Sequence, residues 1–361
     1  MKLENKTNCF SSIRLEASTL CQLKCPSCPN ASGEVGKNIK AGFLKFEDFK
    51  KFVDSNPCIR EIELSNWGEI FLNPELGEII KYGFEKKIVL CADNGVNGNR
   101  ISDDILEALV RYQFRSITWA LDGASSETYA AYRKGGCFEN VIENIRKINS
   151  IKKRLHSRYP LLKWQFIPFG HNEHEIAQAR QMARKLGMSF WIKLSWEGTF
   201  TGSDFSPVKN KVYIQSQTGL PVATRGEYEK TYRENYAQKL FCSLLWIKPQ
   251  INFDGEVLGC CVNYWGSFGN AFNEGLIESL NNEKMSYARQ MLKGKVPERP
   301  DIPCASCFHY RAMKRHGAWI TMGDILLARF LHRFRVWIQD DRYRGLLFIT
   351  MRILKLFKSN S

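Results

Sequence analysis

Residues 20–30 read LCQLKCPSCPN and set Cys21, Cys25 and Cys28 directly behind SIRLEAS (12–18), a stretch with the apolar content of a buried strand. At 361 residues the chain can bury a full core without a metal or a disulfide to hold it together, so crowded thiols need a chemical reason. Three thiolates from one short loop can hold three irons of a cubane cluster, because spacings of four and three residues let the loop wrap around it. A 4Fe-4S cluster usually takes four thiolates, and three leave one iron open. Structural zinc wants four protein ligands, so a structural zinc here would need a fourth from elsewhere.

SIRLEAS is the first of six strand patterns, followed by REIELSN (60–66), KIVLCADN (87–94), SITWALDG (116–123), KWQFIPFG (163–170) and SFWIKLS (189–195). Helical patterns lie between them, such as SDDILEALVRYQ, entered through a cap at Ser102, and EHEIAQARQMARKLG, closed by Gly187. The alternation predicts an α/β fold with a parallel sheet. Six such pairs suit a partial (βα)6 TIM-like barrel over residues 10–200, although a doubly wound sheet also satisfies the pattern. Either architecture gathers function at the C-terminal ends of the strands.

From EGTFTGSDFSPVKN (197–210) the composition turns to Gly, Ser, Thr and Lys, which reads as a linker over 201–240. A small cysteine-rich α+β region is expected over 241–315, with INFDGEVLGCC (251–261) as a hairpin turning on Asp254 and Gly255. It contains Cys242, Cys260, Cys304 and Cys307, with Cys261 beside Cys260. One cysteine, a hairpin and a distant CxxC can converge on one metal, with zinc or an iron-sulfur cluster as the candidates.

The chain carries a formal charge of +15. Between Phe308 and Ser361 stand eleven Lys or Arg against three Asp, a surplus that points to an anionic partner. Residues 316–361 read as a basic amphipathic helical tail, with Arg and Lys spaced among large apolar residues in ILLARFLHRFRVWIQ (325–339) and RGLLFITMRILKLFK (344–358). A helix laid on the barrel, an anionic membrane surface and an acidic electron donor are the readings of that face. MKLENKTNCF lacks the apolar run of a signal peptide, and no apolar run reaches the roughly 18 residues of a membrane span. The expected compartment is the cytoplasm, with the tail allowing attachment at the inner face of the membrane. In that reducing setting the twelve cysteines are expected to be unpaired, Cys9, Cys58, Cys91 and Cys137 being small buried or surface residues.

Cys21-Gln-Leu-Lys-Cys25-Pro-Ser-Cys28 resembles the CxxxCxxC signature of the radical S-adenosylmethionine (SAM) superfamily. The resemblance continues strand by strand. Trp67-Gly68-Glu69-Ile70 is similar to the Gly-Gly-Glu-Pro loop that holds the SAM amino group, with Trp67 and Ile70 departing from it. Asp93-Asn94-Gly95 is similar to a Thr-Asn-Gly turn, Leu121-Asp122-Gly123 to a segment whose Asp faces the SAM ribose, and Ser125 through Arg133 to a stretch whose arginine binds the SAM carboxylate. The run from Cys242 through Asn252 to Cys261, Gly269-Asn270 and Cys304-Ala305-Ser306-Cys307 resembles the C-terminal extension called SPASM or, with one cluster, twitch.

The resemblance implies two 4Fe-4S clusters and SAM as cofactors. Cys21, Cys25 and Cys28 would carry the cluster whose open iron binds SAM, and Cys242, Cys260, Cys304 and Cys307 the auxiliary one. Glu69, Asn94, Asp122 and Arg133 would bind SAM. Reduction then cleaves SAM to methionine and a 5′-deoxyadenosyl radical, which takes hydrogen from a substrate carbon, with the auxiliary cluster as electron acceptor. The expected reaction is oxidation or epimerisation of a carbohydrate or related small metabolite, with Cys261 or Cys137 as hydrogen donor in the epimerase case. The first strand begins about a dozen residues into the chain, too few for a leader-recognition module, which turns the expectation away from a ribosomal-peptide maturase without removing it. An acidic flavodoxin or ferredoxin would supply electrons. The competing class is a zinc-stabilised nucleic-acid-binding protein. The tail lacks the ordered aromatic and glycine signature of an RNA platform, so no nucleic acid is expected.

Overall fold

The computed structural model describes residues 9–196 and 205–337. All six expected strands form: β1 (Ser12–Leu15), β2 (Glu61–Glu63), β3 (Val89–Val96), β4 (Ser116–Ala120), β5 (Leu161–Phe166) and β6 (Ser189–Ile192). They pair in parallel with their sequence neighbours. The hairpin adds β7 (Gln250–Ile251), parallel to β1, and β8 (Val257–Gly259), antiparallel to β7. The sheet order is β6-β5-β4-β3-β2-β1-β7-β8, open at both ends. The cysteine-rich region thus continues the barrel sheet rather than standing apart from it.

Helices α1 (Phe46–Ser55), α2 (Leu76–Glu85), α3 (Asp103–Arg111), α4 (Ser126–Tyr132), α5 (Phe138–Arg154) and α6 (Ile176–Lys185) lie between the parallel strands. The Ser102 side chain caps α3 by accepting from the Ile105 amide, as such N-caps do. Period-two alternation sorts the strand residues. On β5, Leu162, Trp164 and Phe166 are buried in the main core, while Lys163 and Gln165 point to the other face. Arg14, Glu63, Cys91, Asp93, Lys163 and Gln250 share that polar face, joined through Arg14 Nε to Gln250 Oε1 at 2.8 Å and Lys163 Nζ to Asp93 Oδ1 at 2.7 Å.

Two expectations fail. The stretch read as a linker carries α7 (Lys211–Thr218) and α8 (Arg225–Tyr232), capped by Asn210 and Thr224. Ile214, Val222, Ala223 and Tyr228 join the main core, so polar composition hid a few well-placed anchors. Cys9 and Cys58 are not unpaired but form a disulfide. Strand register accounts for it: Ser12 stands opposite Glu61, and carrying the same offset back sets Cys9 opposite Cys58, with the Arg60 and Glu61 amides both donating to Ser11 O. The other ten cysteines are free.

Helices α9 (Gln238–Ile247), α10 (Leu276–Asn281), α11 (Glu283–Leu292), α12 (Phe308–His316) and α13 (Met322–Trp337) complete the described chain. The helical reading of ILLARFLHRFRVWIQ holds as far as α13, which lies against α9 and buries Ile325 and Ala328. RGLLFITMRILKLFK lies outside the described residues. Among the described residues no helix is long and apolar enough to cross a membrane.

Candidate functional site

The quoted loop leaves β1 and is held at both ends by its own last residue. Asn30 Nδ2 donates to Thr19 O at 2.8 Å and to Trp67 O at 2.9 Å. Within it, Cys28 N donates to Cys25 O at 3.1 Å, a turn with Pro26 at the position that favours proline. Cys21, Cys25 and Cys28 line one cavity of about 150 Å³, together with Glu69, Asn94 and Arg133. The fourfold sequence match is therefore also a spatial one, apart from Asp122.

Each flanking residue has a visible support. Glu69 is buried; its Oε2 accepts from Asn97 N at 2.5 Å, and burial pushes its carboxyl up to about 7. Gly68 is required by close approach, since a Cβ there would lie 2.2 Å from Ser18 O. Asn94 donates to Asn66 Oδ1 at 2.9 Å. Asp122 is fully buried and stands behind the cavity wall: one oxygen pairs with Arg133 and the other accepts from Ile167 N at 2.8 Å. Both of its oxygens are engaged, and it orients Arg133. Arg133 Nε is buried with no hydrogen-bond partner among the described residues, an orphaned donor beside the cavity that an anionic ligand would satisfy.

Sequence reading missed Glu16, Asn97 and Lys193. Buried Glu16 accepts from the Trp67 amide at 2.5 Å and the Gly68 amide at 3.0 Å, fixing the loop that presents Glu69. Asn97 Nδ2 points at Cys21 Sγ, 3.6 Å away. Lys193 follows β6 at its C-terminal end, where such folds keep their chemistry. Burial and the neighbouring Arg225 bring its ammonium down to about 8, while Cys261 and Asp122 oppose that shift.

Cys242 on α9, Cys260 after β8, and Cys304 and Cys307 ahead of α12 line a second, largely apolar cavity. Cys307 is the N-cap of α12, where the nearby His309 and Tyr310 amides favour its thiolate against burial. The Val262 and Asn263 amides act likewise on Cys260. Burial pushes the Cys21 and Cys260 thiols up to about 12, so these thiols stay protonated unless a cationic centre takes the thiolate. In neither set do three sulfurs lie within 4.8 Å of one another.

The tightest group of ligand types among the described residues is Glu63, Cys91 and Asp93. Lys163 already supplies the cation there, and Ser116 Oγ donates to Asp93 Oδ1 at 2.8 Å. Cys261 does not line the cavity of Cys260. Its carbonyl accepts from Asn66 Nδ2 at 3.2 Å, and its thiol is within electrostatic reach of Arg14 and Lys193. Cys137 is exposed at the start of α5 and lines neither cavity.

Residues 242–308 match the model of SPASM, an iron-sulfur cluster-binding domain, and so enclose all four auxiliary cysteines. The chain is 26% identical over 185 residues to the AdoMet-dependent heme synthase of Methanosarcina barkeri (strain Fusaro / DSM 804), a match covering 50% of this chain and 49% of that protein. The chain thus spans about half the length of that relative. Its fold is that of Streptococcus suis SuiB bound to S-adenosylmethionine, with a TM-score of 0.60 at 14% identity, covering 84% of this chain and 72% of SuiB. It is also similar to anSMEcpe with bound AdoMet, with a TM-score of 0.52 at 14% identity, covering 89% of this chain and 92% of that one.

An open parallel barrel with a three-cysteine loop behind β1, continued by a four-cysteine region, is the arrangement the site presents. The fold is shared with structures solved with bound S-adenosylmethionine, and residues 242–308 match an iron-sulfur cluster-binding domain of the SPASM type. Each cysteine set fits an iron-sulfur cluster, and the orphaned Arg133 nitrogen beside the first fits an anionic ligand such as SAM.

Proposed function

We propose that this chain is a radical SAM oxidoreductase or epimerase of a carbohydrate or related small metabolite. The carrying observation is that Lys193, at the C-terminal end of β6, is buried within electrostatic reach of Cys261, Asp122, Arg133 and Arg225. When bound, SAM and the first cluster supply a deoxyadenosyl radical that removes hydrogen from carbon, and the auxiliary cluster takes up the electron left behind.

The chain's own residues do the rest. Cys21, Cys25 and Cys28 hold the SAM-binding cluster, and Cys242, Cys260, Cys304 and Cys307 the auxiliary one. Glu69 receives the SAM ammonium, Arg133 its carboxylate in the fork geometry that suits it, and Asn94 lines the cavity between them. In an oxidation, Lys193 takes the hydroxyl proton: one hydrogen atom, one proton and one electron leave, and a carbonyl forms. In an epimerisation, Cys261 returns a hydrogen atom to the opposite face. The basic charge favours an acidic flavodoxin or ferredoxin as electron donor.

The test is anaerobic incubation of the reconstituted full chain with reductant, SAM and a panel of sugars and aminocyclitols. The expected result is substrate-dependent 5′-deoxyadenosine with a matching carbonyl product or inverted carbon. Stimulation by peptides alone would move the reading to a peptide maturase. A second surface reading rests on Met322, Leu326 and Phe330, exposed at four-residue spacing along α13 and continuous with the basic tail. They favour attachment to an anionic membrane, with the cytoplasm as the compartment.

A further inference from the structure

The auxiliary cavity has one polar side chain in its wall that no other described residue uses. His309 lies in the first turn of α12, two residues after Cys307, and lines the same cavity as the four cysteines. The residue is 2% exposed, and neither ring nitrogen has a hydrogen-bond partner among the described residues. Its other neighbours are aromatic: the rings of Phe308, Phe241 and Trp196 lie at 4.3, 5.4 and 6.4 Å. An imidazole always carries at least one N–H, and buried donors are almost always paired. The cysteine cavity is the polar partner's remaining place.

We propose that His309 donates its ring N–H to a sulfur of the auxiliary cluster and thereby raises that cluster's reduction potential. This rests on the auxiliary cluster of the functional reading. A hydrogen bond to cluster sulfur stabilises the more negative, reduced state and makes the cluster a better electron acceptor. The placement suits that task. The Trp196 ring, 6.4 Å from His309, carries the Arg225 guanidinium 3.8 Å and the Lys193 ammonium 6.0 Å from its centre, so His309 is linked through Trp196 to the lysine assigned to the substrate.

The test uses the full chain, reconstituted, with Cys21, Cys25 and Cys28 changed to Ala so that EPR reports the auxiliary cluster alone. Grown with 15N-histidine and reduced, it should show a weak 15N coupling by pulsed EPR that His309→Gln loses. In a redox titration His309→Phe should shift the reduction equilibrium about tenfold against the reduced form, about 59 mV for one electron, and His309→Gln, which keeps an N–H, should recover most of it. Absence of 15N coupling in the parent chain, a coupling large enough for direct iron ligation, or an unmoved midpoint in His309→Phe overturns the proposal. Should His309→Phe fail to hold its cluster, the 15N signal of the parent chain decides alone. A parent chain with well under about four irons and sulfides per molecule refutes the auxiliary cluster itself and the proposal with it, and is recognised by that count.

Discussion

Arg133 ties the first cysteine loop to the end of β4: one arm of its guanidinium pairs with buried Asp122, and the other, Nη1, points at Cys25 Sγ 3.7 Å away. Asp122 holds the fork, and the fork meets both the cluster loop and the cavity.

Arg133→Met should therefore weaken SAM binding to the reconstituted protein by about 30- to 100-fold, the ~2–3 kcal/mol of a lost hydrogen bond to a charged group. Asp122→Asn, which frees the guanidinium without removing it, should cost about tenfold, near 1.4 kcal/mol. Equilibrium dialysis with labelled SAM measures both. Undiminished affinity in Arg133→Met would remove it from the carboxylate site.

Lys193 carries a pH signature. The groups facing it are Arg225 and Arg133, which lower its pKa along with burial, and Cys261 and Asp122, which raise it. With a folded value of about 8 against an ordinary 10.5, the unfolded chain binds the extra proton between those pH values, so stability rises with pH across that window. Lys193→Met should abolish that rise in urea titrations. Substrate oxidation should climb through about pH 8 and level off above it, and Lys193→Arg should stay low throughout. A Lys193→Met stability profile parallel to the parent's would show that Lys193 titrates normally.

Of the adjacent pair Cys260 and Cys261, the first lines the auxiliary cavity, while the second does not and is within electrostatic reach of Arg14 and Lys193. Cys260→Ala should lose about four irons per chain while still cleaving SAM. Cys261→Ser should keep every iron. Equal iron loss in the two variants would place both sulfurs at the metal.

On α13, Met322, Leu326 and Phe330 are 49%, 57% and 56% exposed. Leu326→Asp with Phe330→Asp should reduce co-sedimentation with phosphatidylglycerol vesicles by tenfold or more, since each buried apolar side chain is worth about 1.5–3 kcal/mol. Recovery of parent and variant alike in the supernatant would count against the membrane.

The six parallel strands, the cap at Ser102 and the Asp254-Gly255 turn were legible because each is a local pattern: alternation, a capping side chain, a glycine at φ +85°. Long-range pairings were not. Nothing near Gln250 says that it lies beside Arg14, 236 residues away, and the Cys9–Cys58 bridge follows from a register that local sequence does not encode. That each cysteine set gathers at one cavity was readable because the spacing is itself chemical. Lys193 and Glu16 were not, because a single charged residue in a strand looks the same whether it meets solvent or a buried site. Asp122 was legible as important, but only the fold shows both its oxygens engaged, one of them with Arg133.

The central claim is an open cluster on the first loop and a closed one in the C-terminal domain. It is tested most directly by counting iron, acid-labile sulfide and zinc in the anaerobically reconstituted chain. The account predicts about eight irons and eight sulfides per chain, falling to about four of each when Cys21, Cys25 and Cys28 are changed to Ala. Zinc without sulfide would contradict it.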